Sequence, residues 1–171
     1  QDQWSGQNYE ERGRTFLARM QTLPPLKEEG LWGKQAEAVK NIELSLKDNR
    51  PRSLLQMATG SGKTFTAITQ IYRLIKFGGA RRILFLVDRN ILADQTKTND
   101  FKPFGQAMTK ITNRTVDKAF EIYLTLYQAV IGTEEEKNVY KQFSPDFFDL
   151  VVVDECHRGS AADDAAWRQV L

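Results

Sequence analysis

Between Ser53 and Tyr72 the chain reads SLLQMATGSGKTFTAITQIY, and no other stretch restricts its fold as strongly. Small residues at Gly60, Ser61 and Gly62 let backbone N–H groups converge on an anion. Lys63 and Thr64 then open a segment of helical periodicity, whose N-terminus adds partial positive charge. A lysine at this point reaches the β- and γ-phosphates of a nucleotide, and the neighbouring hydroxyl ligates Mg²⁺. Such a loop sits between a strand and a helix. The apolar run SLLQM, residues 53–57, is the expected strand. The usual spacing, G-x-x-x-x-G-K-[ST], would put a glycine where this chain has Met57. A wider turn at the strand exit can take the place of a tight one there.

The flanking segments point to alternating helices and strands. NYEERGRTFLARMQTL places Tyr9, Phe16, Leu17 and Met20 near helical spacing, and Pro24-Pro25 ends that helix. KQAEAVKNIELSLK follows as a helix with Ala38, Val39, Ile42 and Leu46 on one face, and DNRPR punctuates before residue 53. The helix TFTAITQIYRLIKF is closed by Gly78-Gly79. RILFLV reads as a strand, DRNILADQ as a helix start, and QAMTKI and EIYLTLY as further strands, the latter alternating enough to be partly exposed. GTEEEKNVYKQF is a charged surface helix or loop, and FFDLVVVDE is an apolar run ending in two acids. This order predicts an α/β domain with a mainly parallel sheet buried on both faces. There is no internal repeat and no low-complexity tract. Trp4, Trp32 and Trp167 are expected to pack, and Cys156 to be a small buried filler.

With 171 residues, 41% hydrophobic and 27% charged, the chain is long enough for one full core. One cysteine rules out an intramolecular disulfide and fits a reducing compartment such as the cytoplasm. No apolar run approaches the roughly 18–20 residues of a membrane span, and no signal-peptide pattern occurs. A net charge of +2 says little about partners. The chain begins at Gln1 and stops inside DDAAWRQVL, which reads as an uncapped helix, so a piece of a longer protein is expected.

The second chemical signal is DLVVVDECHRG. In open parallel sheets functional groups gather beyond the carboxyl ends of strands. With Met57 ending one strand and Val153 another, Lys63 and Asp154 are expected to meet on one sheet edge. Asp154 is then placed to hold Mg²⁺, directly or through water. Glu155 is placed to orient or deprotonate the water that attacks the γ-phosphate.

MATGSGKT and VVVDECHRG resemble motifs I and II of the superfamily 2 helicases and translocases, the DExH branch. In that superfamily Ala-Thr-Gly or Pro-Thr-Gly often stands where the stricter spacing fails, which accommodates Met57. LFLVDRNILADQ resembles motif Ia, and IYLTLYQAV the segment ahead of motif II. Together with DECHRGSA and a following tryptophan, these are most similar to the motor (R) subunit of type I restriction enzymes, over roughly Leu31 to Leu171. Type III restriction subunits and other DExH motors are near neighbours.

The resemblance implies a RecA-like P-loop NTPase domain over 30–171, its parallel sheet sandwiched by helices and cut short after motif II, with 1–29 as a helical lead-in or linker. It implies ATP and Mg²⁺ as ligands, bound through Thr59, Gly60, Ser61, Gly62, Lys63 and Thr64. LWGKQAEAV matches the family's adenine-reading pattern at Leu31, Gln35, Ala38 and Val39, and departs from it at Trp32 and Lys34; Gln35 is either an adenine contact or a surface glutamine. His157 would couple the γ-phosphate state to a second motor domain. Arg158 pairs either with phosphate or with a nearby acid. Arg89 either touches the DNA backbone or is a solvated helix-start arginine. The implied whole is the ATP-binding half of a double-stranded DNA translocase. Its partners would be a second RecA-like domain and a nuclease domain in the same full-length chain, and modification and specificity subunits. Another DExH helicase, or a nucleotide-gated binding module without turnover, are the competing readings.

Overall fold

The computed structural model describes residues 15–87, 104, 108–110, 121–126, 143–144 and 146–154. They fall into two compact units that divide between Ala80 and Arg81.

The first unit is helical. Helix α1, Phe16–Gln21, is capped by Thr15, whose hydroxyl accepts from Ala18 N at 3.2 Å. It ends ahead of Pro24-Pro25, as their missing N–H groups and fixed φ require. Helix α2, Gly33–Lys47, follows. Its buried stripe is Gln35, Ala36, Val39, Glu43 and Leu46, whereas Ala38 and Ile42 are half-buried. The buried face is therefore rotated from the expected one, because a polar residue, Glu43, is drawn inward.

What draws it is Arg73 at the end of helix α3, Lys63–Arg73. The Arg73 guanidinium donates from Nε to Glu43 Oε1 and from Nη2 to Glu43 Oε2 at 3.1 Å. Nη2 also donates to the carbonyl of Pro24 at 2.6 Å. Both side chains of this pair are below one-tenth exposed, at 6% and 9%. One guanidinium thus joins α2, α3 and the segment after α1. Helix α3 continues as a π-helical stretch, Leu74–Gly78, and stops at Gly79, whose left-handed φ of 72° a side chain would resist. The Gly-Gly stop expected from the sequence is in place.

The expected strand over 53–57 is not formed. Residues 51–58 carry no strand pairing, and Leu54 is 81% exposed. A strand needs a neighbour for its N–H and C=O groups, and the described part of this unit offers none. Met57 therefore ends no strand, and of the two strand ends expected to share a sheet edge only that of Val153 exists as such. Trp32, expected to pack, is 65% exposed.

The second unit is a four-stranded sheet, ordered β2-β3-β1-β4, with β1 Ile83–Val87, β2 Met108–Lys110, β3 Ile122–Leu126 and β4 Leu150–Val153. All three pairings are parallel. Phe85 on β1 sits level with Leu124 on β3 and Val152 on β4. Every residue of β1 is buried, as an apolar run in a parallel sheet should be. Strand β3, expected to be partly exposed, is buried from Ile122 through Thr125. Its alternation misleads because Tyr123 is covered by Phe143, Phe147 and Phe148, with ring centroids 5.4–5.8 Å away in edge-on contact. Strand β4 is only half-buried, against the expectation of a buried strand leading into Asp154. It is the outer strand of the described sheet, so one flank lacks a covering neighbour.

Asp149 fixes where β4 begins. Its carboxylate Oδ2 accepts from the backbone N–H groups of Arg81 at 2.7 Å and Arg82 at 3.0 Å, while its own N–H donates to Arg82 O at 2.8 Å. The carboxylate is exposed, so each bond is worth less than a buried one. Asp149→Ala should cost about 1–2 kcal/mol in denaturant unfolding. No measurable change would mean that these bonds do not hold the β1 and β4 starts together.

Candidate nucleotide-binding site

The loop from Ala58 to Thr64 owes its shape to two left-handed glycines, Gly60 at φ 79° and Gly62 at φ 82°. Ser61 closes the first turn: its N–H donates to Ala58 O at 3.2 Å and its hydroxyl to the same oxygen at 2.6 Å. Gly62 is the N-cap of α3, and its carbonyl accepts from the N–H of Thr66 at 2.9 Å and the Thr66 hydroxyl at 3.0 Å. No acidic residue lies in the first turn of α3, so nothing there competes with an anion for the positive end of the helix. Lys63 bends back along the loop, its Nζ 3.4 Å from the Met57 carbonyl. Thr64 is buried at 9% exposure, while Thr59 and Gly60 are exposed.

Gln35 belongs to this loop. Its Oε1 accepts from Trp32 N at 2.9 Å, and its Nε2 donates to the carbonyl of Ser61 at 3.0 Å. It is 5% exposed, so the surface-glutamine alternative is wrong. A Cβ placed on Gly62 would collide with the Gln35 amide nitrogen, so two independent constraints, φ and space, require glycine there. The sequence carried a signal for the first of these bonds, to Trp32 N. A glutamine at the third helical position reaching back to the N-cap N–H is half of a capping box. The Arg73–Glu43 pair had no such signal.

A groove of about 730 Å³ runs beside the loop, bounded by Lys34, Ala38 and Ile42 of α2 and by Arg52, Leu55 and Met57, and it reaches Ser61. Gln35 does not line it.

In the second unit Asp154 directly follows β4, half-buried, with its N–H donating to Leu86 O at 2.9 Å. That bond prolongs the parallel ladder by one residue and sets the carboxylate at the carboxyl end of the strand, where ligands of such sheets gather. Glu155, His157 and Arg89 lie outside the described residues, as do Cys156, Arg158, Trp4, Trp167, the DRNILADQ helix start and almost all of the charged segment 132–143. Among the described residues, the structure thus brings Gln35, Ser61, Gly62 and Lys63 together in one unit and places Asp154 at a strand end in the other. A cradle of left-handed glycines, a lysine folded over it and a buried threonine hydroxyl form a donor set that fits a triphosphate with Mg²⁺.

Residues 30–171 match the family described as type III restriction enzyme, res subunit. The type I restriction enzyme EcoAI endonuclease subunit of Escherichia coli is 57% identical over 137 residues, covering 80% of this chain and 17% of that protein. The type I restriction enzyme EcoKI endonuclease subunit of Escherichia coli strain K12 is 32% identical over 148 residues, 82% of this chain and 12% of that protein. A type I restriction endonuclease subunit of Staphylococcus saprophyticus is 28% identical over 140 residues, 75% of this chain and 14% of that protein. The chain therefore spans less than a fifth of the length of these curated relatives. No solved structure matches it. Among the described residues no helix is long and apolar enough to cross a membrane.

Proposed function

The chain belongs to the family of the type III restriction enzyme res subunit, and on that premise we propose that it is the ATP-binding half of an ATP-dependent double-stranded DNA translocase. The full protein is then the restriction subunit of a type I restriction–modification enzyme, working in the cytoplasm with modification and specificity subunits. Residues 1–29 lead into the first RecA-like domain, 30–171; a second RecA-like domain and a nuclease domain complete the subunit. The family's description favours a type III subunit, and the names of the relatives favour type I; the 57% identity supports the latter.

The observation that carries ATP binding is the loop itself, two left-handed glycines running into α3 with Lys63 folded over them. Thr59 to Gly62 line the phosphates with backbone donors, and Lys63 reaches the β- and γ-phosphates. Thr64 and Asp154 would hold Mg²⁺, partly through water, which would supply charge neutralisation at the phosphate oxygens. Glu155 takes the proton of the attacking water. His157 passes the state of the γ-phosphate to the second domain, and Arg89 touches the DNA backbone.

Duplex DNA should stimulate phosphate release by the full protein, with little dependence on base sequence and with a loss as salt rises, since phosphate contacts release counterions. Turnover indifferent to DNA would count against a translocase. Tight ATP binding with no turnover under any condition would favour a nucleotide-gated binding module.

A further inference from the structure

We propose that the outer stripe of α3 is a docking surface for an acid-bearing amphipathic segment that the full-length chain supplies from outside these residues. Phe65, Thr69, Tyr72 and Lys76 follow one another at helical spacing on one face, whereas Thr66, Gln70, Ile71 and Arg73 between them are buried. The Phe65 and Tyr72 rings are 39% and 42% exposed, and Phe77 beyond them is 38% exposed. In an α-helix residues five apart face different ways. The π-helical turn over Leu74–Gly78, bonded i to i+5, brings Phe77 toward the Tyr72 side. The Lys76 ammonium reports the result: it donates to Tyr72 Oη at 2.9 Å and lies 5.2 Å from the Tyr72 ring centroid and 5.4 Å from that of Phe77. A π turn within a helix is frequent at functional sites.

The chemistry of the stripe selects its partner. It carries an ammonium and no carboxylate, and from Asn49 to Val87 the sequence has no aspartate or glutamate at all. Lys76 uses one of its N–H donors on Tyr72 and keeps the others for a carboxylate. The rings on either side call for apolar side chains. Nucleic acid fits less well. The ammonium lies over both ring faces, where a base would stack, and duplex binding takes several phosphate contacts that one lysine cannot make. Size decides the source of the partner. The stripe is roughly 18 Å long on a helix about 10–12 Å wide. That is far short of the ~800 Å² a side buried by a stable pair of separate chains. A segment of the same polypeptide needs no such area, since tethering gives it a high effective concentration. In the EcoAI relative the match covers 17% of the protein, which leaves ample chain for such a segment.

The test uses the full protein together with its modification and specificity subunits and duplex DNA. Thr69→p-benzoylphenylalanine sets a photoreactive group in mid-stripe and leaves the three rings and Lys76 in place. Irradiation followed by peptide mass spectrometry should find a crosslink within the chain, to a segment outside these 171 residues in which carboxylates and apolar residues share a helical face. Lys76→Glu, which sets like charges together, should lower the yield of that crosslink about tenfold or more, and Lys76→Arg should keep it. Lysine acetylation of the unsubstituted protein gives a measurement that no folding defect can disturb. Lys76 should react several-fold more slowly than Lys34 of α2, whose side chain is 86% exposed. A crosslink to another subunit, to DNA or only within residues 1–171 would overturn the proposal. The absence of any crosslink, or Lys76 reacting as fast as Lys34, would overturn it as well. None of these readouts passes through ATP, so the nucleotide site stands or falls separately.

Discussion

Lys63→Ala lowers steady-state phosphate release by the full protein by about 10²–10³ or more. That is the scale on which single preorganised groups stabilise charge developing in a transition state. The lysine stands at the first position of α3, where its stem reaches back over the loop to within 3.4 Å of the Met57 carbonyl. Lys63 is only half-buried, so the variant should unfold within about 1 kcal/mol of the parent protein. The loss is thus one of chemistry and not of folding. A Lys63→Ala protein that turns ATP over within a few-fold of the parent would remove the loop from the active site.

The largest stability effect is expected at Glu43. Glu43→Ala leaves the Arg73 guanidinium buried without its carboxylate, and breaking a buried pair in this way costs about 3–5 kcal/mol. The bond from Nη2 to Pro24 O remains, but a neutral carbonyl cannot offset the charge. Glu43→Leu combined with Arg73→Met should recover much of the loss, since hydrophobic replacements of whole buried pairs are often neutral or better. Denaturant unfolding of the single and double variants makes the comparison. A single variant within about 1 kcal/mol of the parent would show that water reaches the pair and screens it.

The contrast between these two sites explains what was legible in the sequence. The loop and α3 are dictated locally. Glycines at 60 and 62 adopt backbone angles that other residues resist, and Gly79 stops the helix at the point where the pattern ends. Strand β1 follows from an apolar run that a parallel sheet buries, and β4 forms from a similar run although it is only half-buried. The misplaced features all depend on partners remote in the chain. Glu43 is turned inward by Arg73, thirty residues on. Tyr123 is covered by phenylalanines from 143 to 148. Residues 53–57 have strand-like composition, yet composition cannot supply the neighbouring strand that pairing needs. The brace of Gln35 on Ser61 likewise joins residues 26 positions apart.

The parallel sheet also sets an order of events during synthesis. Arg81, at the threshold of β1, finds its partner Asp149 only 68 residues later. At about 5–20 residues per second a ribosome needs roughly 3–14 s to supply that distance. Until that interval ends β1 is an apolar strand without β4, whereas the braces from Gln35 to Ser61 and from Arg73 to Glu43 join residues that all precede Arg81. The glycine turns of residues 58–64 and their brace on α2 thus have their partners before the strand that carries Asp154 is made. The aggregation-prone moment in the life of this protein falls between those two steps.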